Sequence, residues 1–596
     1  MINTQLTGLF RHNVEKYGSR DAAYYRTDNG EWIGISWNRL GEMVNNTAGA
    51  LLNNGVAEKE CIAIISRNMP EWTVADLAIQ SVRAITVPLF ATTSVEQAFF
   101  ILDQADATII FVGEQDEYNK AVELAPRLPL LKKIVAFDSQ VVLNHDSLSC
   151  HFTDFMKVGQ ENPMEQELQK RLKETTAEDL YTIIYTSGTS GEPKGVMLDN
   201  ASMEHCLKIH RERLPMSESD TSICFLPLSH IFERGWTSIC LAEGITNYYL
   251  RDPKKIIDII KEVKPTLMCA VPRFFEKTYA GVLNALDHAS PLKRKIFHWA
   301  IRTGAERIEY IRDEQPVPAM LAFKYLLADR LVLRTGRAVL GGRIRFMPCA
   351  GASLSDDIVK FFHSVGVHIK YGYGMTETTA TVSCFTDTNF KFGSVGKVMP
   401  GVEVKIGDND EILVKAPTVT KGYYKRSVIT AESFTDGWLK TGDAGWLDSD
   451  NNLYLKDRIK DLMKTSSGKY IAPQMIETLV GTHPAIEFIS IIGDRKKYVT
   501  ALIVPSFVHL KKWAEQQGVK FTTHHEMAVN SSVRKYFSQI IEKAQKDLSP
   551  YEQIKRFTLL PNEFTIHTGE LTSTLKTRRA FVEEKFKAEI EAMYKE

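Results

Sequence analysis

Between Tyr185 and Gly195 the chain reads Tyr-Thr-Ser-Gly-Thr-Ser-Gly-Glu-Pro-Lys-Gly, with four Ser/Thr hydroxyls, three glycines and one lysine in eleven residues. Glycines let the backbone turn tightly and bring its N–H groups up to an anion. Hydroxyls can bond phosphate oxygens, and a lysine adds a mobile positive charge. A polar turn between two strands has a similar composition. Two features separate this loop from such a turn: the lysine lies inside it, and both flanks are apolar, Leu180–Ile184 before and Val196–Leu198 after. These point to a loop that handles phosphates, with a nucleotide as ligand. It is not the ordinary P-loop, which needs Gly-x-x-x-x-Gly-Lys-Ser/Thr. Lys194 follows Pro193 and precedes Gly195, and at Gly468-Lys469-Tyr470 a phenol stands where that motif needs Ser or Thr.

Further segments follow in order: Leu226-Pro227-Leu228-Ser229-His230-Ile231-Phe232-Glu233-Arg234, Tyr371-Gly372-Tyr373-Gly374-Met375-Thr376-Glu377, Thr441-Gly442-Asp443, Asp457-Arg458-Ile459-Lys460-Asp461 and Leu571-Thr572-Ser573-Thr574-Leu575-Lys576. With the glycine-rich loop, this ordered set strongly resembles the adenylate-forming enzymes: acyl-CoA synthetases, luciferases and peptide-synthetase adenylation domains. Within them it is most similar to the long-chain fatty acid–CoA ligases. The resemblance to that branch rests on His230, Glu233 and Arg234, on Pro272-Arg273-Phe274-Phe275-Glu276-Lys277, and on a helical insertion at about 283–340.

The resemblance implies activation of a carboxylate by ATP, giving acyl-AMP and pyrophosphate, and then transfer of the acyl group to CoA. Bringing an anion to a polyanion demands positive charge and oriented donors, which Mg²⁺, lysine and backbone N–H groups supply in phosphoryl chemistry. By resemblance, Thr186, Ser187, Gly188, Thr189, Ser190, Gly191 and Lys194 line the phosphates, and Thr186 and Glu377 flank Mg²⁺, for which a hard carboxylate oxygen is suited. Tyr373 would stack on adenine, and Thr376 would touch a phosphate oxygen. Gly351, Ala352, Tyr371, Gly372 and Gly374 would complete the nucleotide site. Asp443 would accept both ribose hydroxyls, as a two-oxygen acceptor can, with Arg458 in support. His230 would lie near the carboxylate and α-phosphate without serving as general base. Lys576 would bridge the two reacting groups, although Leu575 stands where the common pattern has glycine. Lys460 would be a hinge about which the C-terminal domain turns between half-reactions. Gly468 would line the pantetheine channel, where a side chain would obstruct the thiol.

Several alternatives stay open on sequence alone. They are an acyl- or aryl-adenylating ligase that serves a carrier protein, and a non-catalytic nucleotide-binding protein on the same fold. Chain-length preference and oligomeric state, a homodimer included, are not readable.

The elements that must position these residues follow from patterning. At 596 residues the chain is too long for one ordinary core. Short apolar runs at Cys61–Ile65, Ile85–Val87, Thr108–Val112 and Ile134–Phe137 alternate with helical periods, such as Trp72, Ala75, Ile79 and Val82 after Pro70 and Val95, Ala98 and Leu102. This alternation predicts α/β layers with parallel strands. The resemblance adds two such sheets in a large N-terminal domain (1–457), a hinge (458–462) and a smaller α+β C-terminal domain (463–596). Residues 290–340 read as a buried helical hairpin, with Leu321–Leu333 strongly apolar. The resemblance would let it shape an acyl tunnel or a membrane-facing surface. Phe581, Val582, Phe586, Ile590 and Met593 predict one terminal amphipathic helix.

Lys+Arg and Asp+Glu balance at 73 each, giving no sign of a nucleic-acid partner. The eight cysteines show no Cys-x-x-Cys and no metal spacing, as expected of small buried thiols in a reducing compartment. Met1–Arg11 lacks a long apolar core, and no run reaches ~18 apolar residues, so no spanning helix is predicted. A cytoplasmic enzyme is expected. Peripheral membrane contact stays open because a lipid substrate must arrive from somewhere.

Overall fold

The computed structural model describes residues 5–144, 147–186, 192–466, 469–565, 568–572 and 577–595. A seven-stranded sheet runs in the order Ser149–His151, Lys133–Ala136, Ile109–Val112, Cys61–Ile65, Ile85–Leu89, Leu180–Thr186, Lys194–Asp199. All its pairings are parallel except the last. Its central strands are buried end to end, which is why they read as continuous apolar runs and not as alternating ones. Helix Pro70–Ser81 packs on this sheet and is buried almost all round; Pro70 starts it at a position where a missing N–H costs nothing.

Two four-stranded sheets lie beyond, one centred on Thr246–Tyr249 and one on His368–Tyr373. The segment 266–270 joins them. Thr266 and Leu267 donate backbone N–H groups to Thr221, Arg345 donates to Thr266, and Ala270 donates to Pro348. A further, five-stranded sheet, Glu403–Arg458, was not anticipated from the sequence.

One apolar cluster runs from Leu6 to Leu453 and another from Met463 to Met593. The second gathers around the sheet Ile486–Ile492, Val499–Pro505 and Ile554–Leu559.

Two expectations are corrected. The insertion is helical, Pro291–Arg312 against Ala319–Ala328, but only its inner side is buried; Met320, Phe323, Leu326 and Leu331 face outward. The terminal amphipathic helix is two helices, Arg579–Lys585 and Lys587–Tyr594. They break at Phe586, whose φ of −107° is not helical. Val582, Ile590 and Met593 are still buried together.

Candidate active site

The glycine-rich loop joins two antiparallel strands, and the register sets Thr186 directly opposite Lys194. It is therefore the tip of a hairpin, whereas a P-loop leads from a strand into a helix. Ser187, Gly188, Thr189, Ser190 and Gly191 lie outside the described residues. Lys194 Nζ sits 5.4 Å from the centre of the Tyr423 ring. The Tyr423 hydroxyl donates to Glu377 Oε1 at 2.9 Å. Thr420 N–H donates to the Glu377 carbonyl, and backbone bonds from Met197 to Gly422 and from Tyr424 to Gly195 lace the 420–424 strap to the hairpin. Glu377 is thus held beside the loop by Thr420 and Tyr423, which sequence reasoning missed. The available signal was Thr-Lys-Gly-Tyr-Tyr at 420–424, polar, glycine-containing and aromatic.

Glu377 and Thr376 are buried in a single 3₁₀ turn, Thr376–Thr378, that follows strand His368–Tyr373. Burial pushes the Glu377 carboxyl above its ordinary range. Among the described residues it makes no direct ion pair; the nearby Arg458 charge and the Tyr423 hydroxyl favour its ionised form without offsetting the burial. Gly372 and Gly374 are required sterically. A Cβ on Gly374 would lie 1.7 Å from the Ala380 carbonyl oxygen, and one on Gly372 would lie 2.6 Å from that of Ser383.

On the other side stands Tyr373, whose hydroxyl donates to Asp443 Oδ2 at 2.6 Å. Asp443 and Arg458 are cross-strand neighbours, with Arg458 Nε 3.4 Å from Asp443 Oδ1 and the arginine side chain about half exposed. Tyr371 points elsewhere. Its hydroxyl accepts from Leu354 N–H at 2.9 Å, so it pins the loop carrying Gly351 and Ala352. Gly351 adopts φ +95°, a conformation open to glycine, and both Gly351 and Ala352 are exposed.

His230 caps the N-terminus of helix Ile231–Glu243, its Nδ1 accepting from Phe232 N–H at 3.2 Å. The preceding loop is held from below. Asn68 Nδ2 donates to the Leu226 carbonyl, and Asn68 Oδ1 accepts from Leu228 N–H. Glu233 accepts from Leu226 N–H at 2.9 Å. Glu233 is fully buried, and burial pushes its carboxyl up to about 8. Arg234, also buried, makes a bidentate pair with Asp76, with bonds of 3.0 and 2.6 Å, and donates to Thr182 in the strand that ends at Thr186. Behind Tyr373 opens an apolar cavity bounded by Phe232, Gly235, Trp236, Ile239, Ala350 and Ala380. His210 on its rim is held neutral, its pKa pushed down to about 4 by burial.

Of the C-terminal residues, Lys576 and Gly468 lie outside the described residues. The flanks of the Lys576 segment are tied together: Leu571 bridges Thr577, and Arg578 N–H donates to the Glu570 carbonyl. Lys460 is exposed in the turn after strand Leu453–Arg458. Asp457, just before it, accepts Gln474 N–H at the start of helix Pro473–Gly481, and burial pushes its carboxyl up to about 6. Arg273, from the Pro272–Lys277 segment, donates to the Glu487 carbonyl at 2.9 Å, also pairs with the Glu487 carboxylate, and lies over the Phe488 ring.

The nucleotide-side arrangement is that of an adenylate-forming enzyme, and comparison with known proteins agrees. A model described as AMP-binding enzyme matches residues 10–424, and one described as AMP-binding enzyme C-terminal domain matches residues 460–596. The long-chain-fatty-acid–CoA ligase FadD15 of Mycobacterium bovis is 31% identical over 96% of this chain and 94% of its own. Long-chain-fatty-acid–CoA ligase 1 of Homo sapiens is 29% identical over 95% of this chain and 82% of its own. The adenylation domain of a carboxylic acid reductase from Segniliparus rugosus, solved with AMP and a co-purified carboxylic acid, superposes with a TM-score of 0.77 at 22% identity, covering 99% of this chain and 94% of that one. The chain belongs to the AMP-binding enzyme family, in its long-chain fatty acid–CoA ligase branch.

Proposed function

We propose that the protein activates a long-chain fatty acid with ATP to acyl-AMP and pyrophosphate, then transfers the acyl group to CoA with release of AMP. The observation that carries this reading is the convergence of Tyr373, Asp443 and Arg458 on one side of the site and Thr186, Lys194, Tyr423 and Glu377 on the other, with an apolar cavity directly behind.

In this reading Asp443 and Arg458 hold the ribose, Tyr373 borders the base, and Lys194 with the hairpin tip holds the phosphates. Glu377 and Thr186 would hold Mg²⁺. A buried carboxylate that makes no direct ion pair among the described residues fits one ligand of a metal whose remaining ligands are substrate phosphates and water. When bound, Mg²⁺ supplies positive charge to the phosphate oxygens. The fatty acid carboxylate attacks the α-phosphorus, and pyrophosphate leaves. Lys576, brought to the site by the C-terminal domain, stabilises the charge that develops, and its loss would lower the rate ~10²–10³-fold. His230 positions the carboxylate. The CoA thiol then attacks the acyl carbon and AMP leaves, with the C-terminal domain turned about Lys460 and Gly468 lining the thiol channel. We take the hinge as 458–462, between the two apolar clusters. Eight free cysteines, seven of them buried, support a reducing compartment such as the cytoplasm.

The test is pyrophosphate and AMP release with ATP, Mg²⁺ and fatty acids from short to long, with and without CoA. Turnover that requires CoA and peaks at long chains is expected. About one equivalent of pyrophosphate per enzyme, indifferent to CoA, would overturn CoA as the acceptor in favour of a carrier protein.

A further inference from the structure

The residues of the segment Pro272–Lys277 divide between two faces of one helix. Pro272 opens helix Pro272–Asp287 at its first position, where a missing N–H costs nothing. Phe274 and Phe275 are buried in the first apolar cluster, where Phe274 meets the Phe225 ring at 5.9 Å and Phe275 meets Phe362 at 5.3 Å. Arg273, Glu276 and Lys277 are spaced three and four residues apart, which sets them on one side of a helix. That side reaches the C-terminal residues: Lys277 Nζ lies 3.8 Å from Glu487 Oε1, and Arg273 pairs with the same carboxylate.

Glu487 is shaped to receive them. In the antiparallel pair Ile486–Ile492 with Val499–Pro505, Ile486 stands opposite Pro505 and Phe488 opposite Val504, so Glu487 is the extra residue of a β-bulge. A bulged residue drops out of the ladder and its groups are re-aimed. The Glu487 carbonyl accepts from Arg273 Nη2 at 2.9 Å. Arg273 Cζ also lies 5.4 Å from the centre of the Phe488 ring, which packs on Phe564 at 5.7 Å in the second cluster. One guanidinium therefore makes an ion pair, a carbonyl bond and a cation–π contact to two consecutive residues. Arg273 and Glu487 are each only about one-third exposed, at 32 and 31%.

This contact joins two bodies. Arg273 and Glu487 are 214 residues apart, and each is fixed beside a different apolar cluster, Leu6–Leu453 or Met463–Met593. The Asp457–Gln474 bond, by contrast, spans 17 residues around the connection itself. A bond beside the connection can survive a turn of one body against the other, whereas a contact away from it holds in one arrangement only.

We propose that Arg273 is a positioning residue: with Lys277 it latches the Glu487 bulge and holds the C-terminal domain in the orientation seen here, and the latch opens when the domain turns. That this orientation favours one half-reaction over the other rests on the ligase reading; the latch does not, and the two are measured separately.

The experiment is limited trypsin digestion of the full chain, following cleavage after Arg458 and Lys460 by mass spectrometry. Cleavage there tracks the open population when opening is fast. Arg273→Ala should speed it about ten-fold, and Glu487→Gln, which keeps the carbonyl bond, about three-fold. Arg273→Glu combined with Glu487→Arg should return it to within about two-fold of wild type. Unfolding midpoints should stay at the wild-type value, which separates an open latch from an unfolded domain. ATP–pyrophosphate exchange with a long-chain fatty acid reads the first half-reaction, and CoA-dependent consumption of preformed acyl-AMP reads the second. Arg273→Ala should shift these unequally, by about three-fold or more relative to one another. Equal cleavage of wild type and Arg273→Ala, or a swapped pair cleaved as fast as the single variant, would overturn the latch. So would a parallel loss of both half-reactions, which would make Arg273 part of the frame. Absence of both half-reactions in the wild type, with the cleavage pattern as expected, would sink the ligase reading and leave the latch standing.

Discussion

The two walls of the site handle charge in opposite ways. On the His230 side, Arg234 and Asp76 are withdrawn from water and satisfied within the protein, and Glu233 sheds its charge through burial. On the Tyr373 side, Asp443 meets a half-exposed Arg458, and Glu377 is buried with a tyrosine hydroxyl as its direct partner. Groups of the first kind fix backbone, here the Leu226–His230 loop and the strand ending at Thr186. Groups of the second kind are, in the proposed reading, the ones a charged ligand would meet. Perturbed carboxyls on both walls therefore differ: Glu233 is held inside the framework, whereas Glu377, in the proposed reading, would meet the incoming cation.

The sharpest way to break this contrast is Arg234→Ala, which strands a buried Asp76. It should cost about 3–5 kcal/mol in denaturant unfolding, and Arg234→Met with Asp76→Leu should recover most of that loss. A small effect would mean that the pair is not a framework. Next, Asp443→Ala should weaken ATP binding by about 1.5–3 kcal/mol in calorimetry, with a smaller effect on unfolding. The reverse pattern would move Asp443 to the framework class.

Third is pH. The Glu233 pKa is raised, so its contribution to stability is full below the unfolded value and is lost as pH rises toward about 8. Glu233→Gln should remove that slope, at most about 1.4 kcal/mol per pH unit, as read from unfolding midpoints between pH 5 and 9. Identical slopes in both proteins would show that Glu233 is charged in the fold. The smallest expected effect is that of Tyr423→Phe, about 1 kcal/mol in pyrophosphate release. Removing the donor lifts Glu377 further, so the deficit should shrink as pH rises. A deficit independent of pH would detach Tyr423 from Glu377.

Much of the architecture was legible locally. Cys61–Ile65 and Ile109–Val112 read as strands because a parallel sheet covered on both faces needs unbroken apolar runs. The insertion misled for a related reason. Apolar content at Leu321–Leu333 implied burial, but composition cannot tell a face turned to the core from one turned outward. Phe586 fits the helical period and still breaks the helix, because periodicity records side-chain type and not φ.

By itself the sequence determined the residue types and their order: a glycine-rich loop with its lysine, the Tyr373–Glu377 segment, Asp443, and the alternation of strand and helix that builds an α/β fold. Only the tertiary structure decided which of them meet. Tyr373 and Asp443 are 70 residues apart and share a hydrogen bond. The 420–424 strap holds Glu377 from a segment whose polar, aromatic composition does not say what it touches. Asp76 reaches Arg234 across 158 residues of chain. Chain patterning reports which face of an element is apolar, and long-range pairing depends on how those faces close on one another.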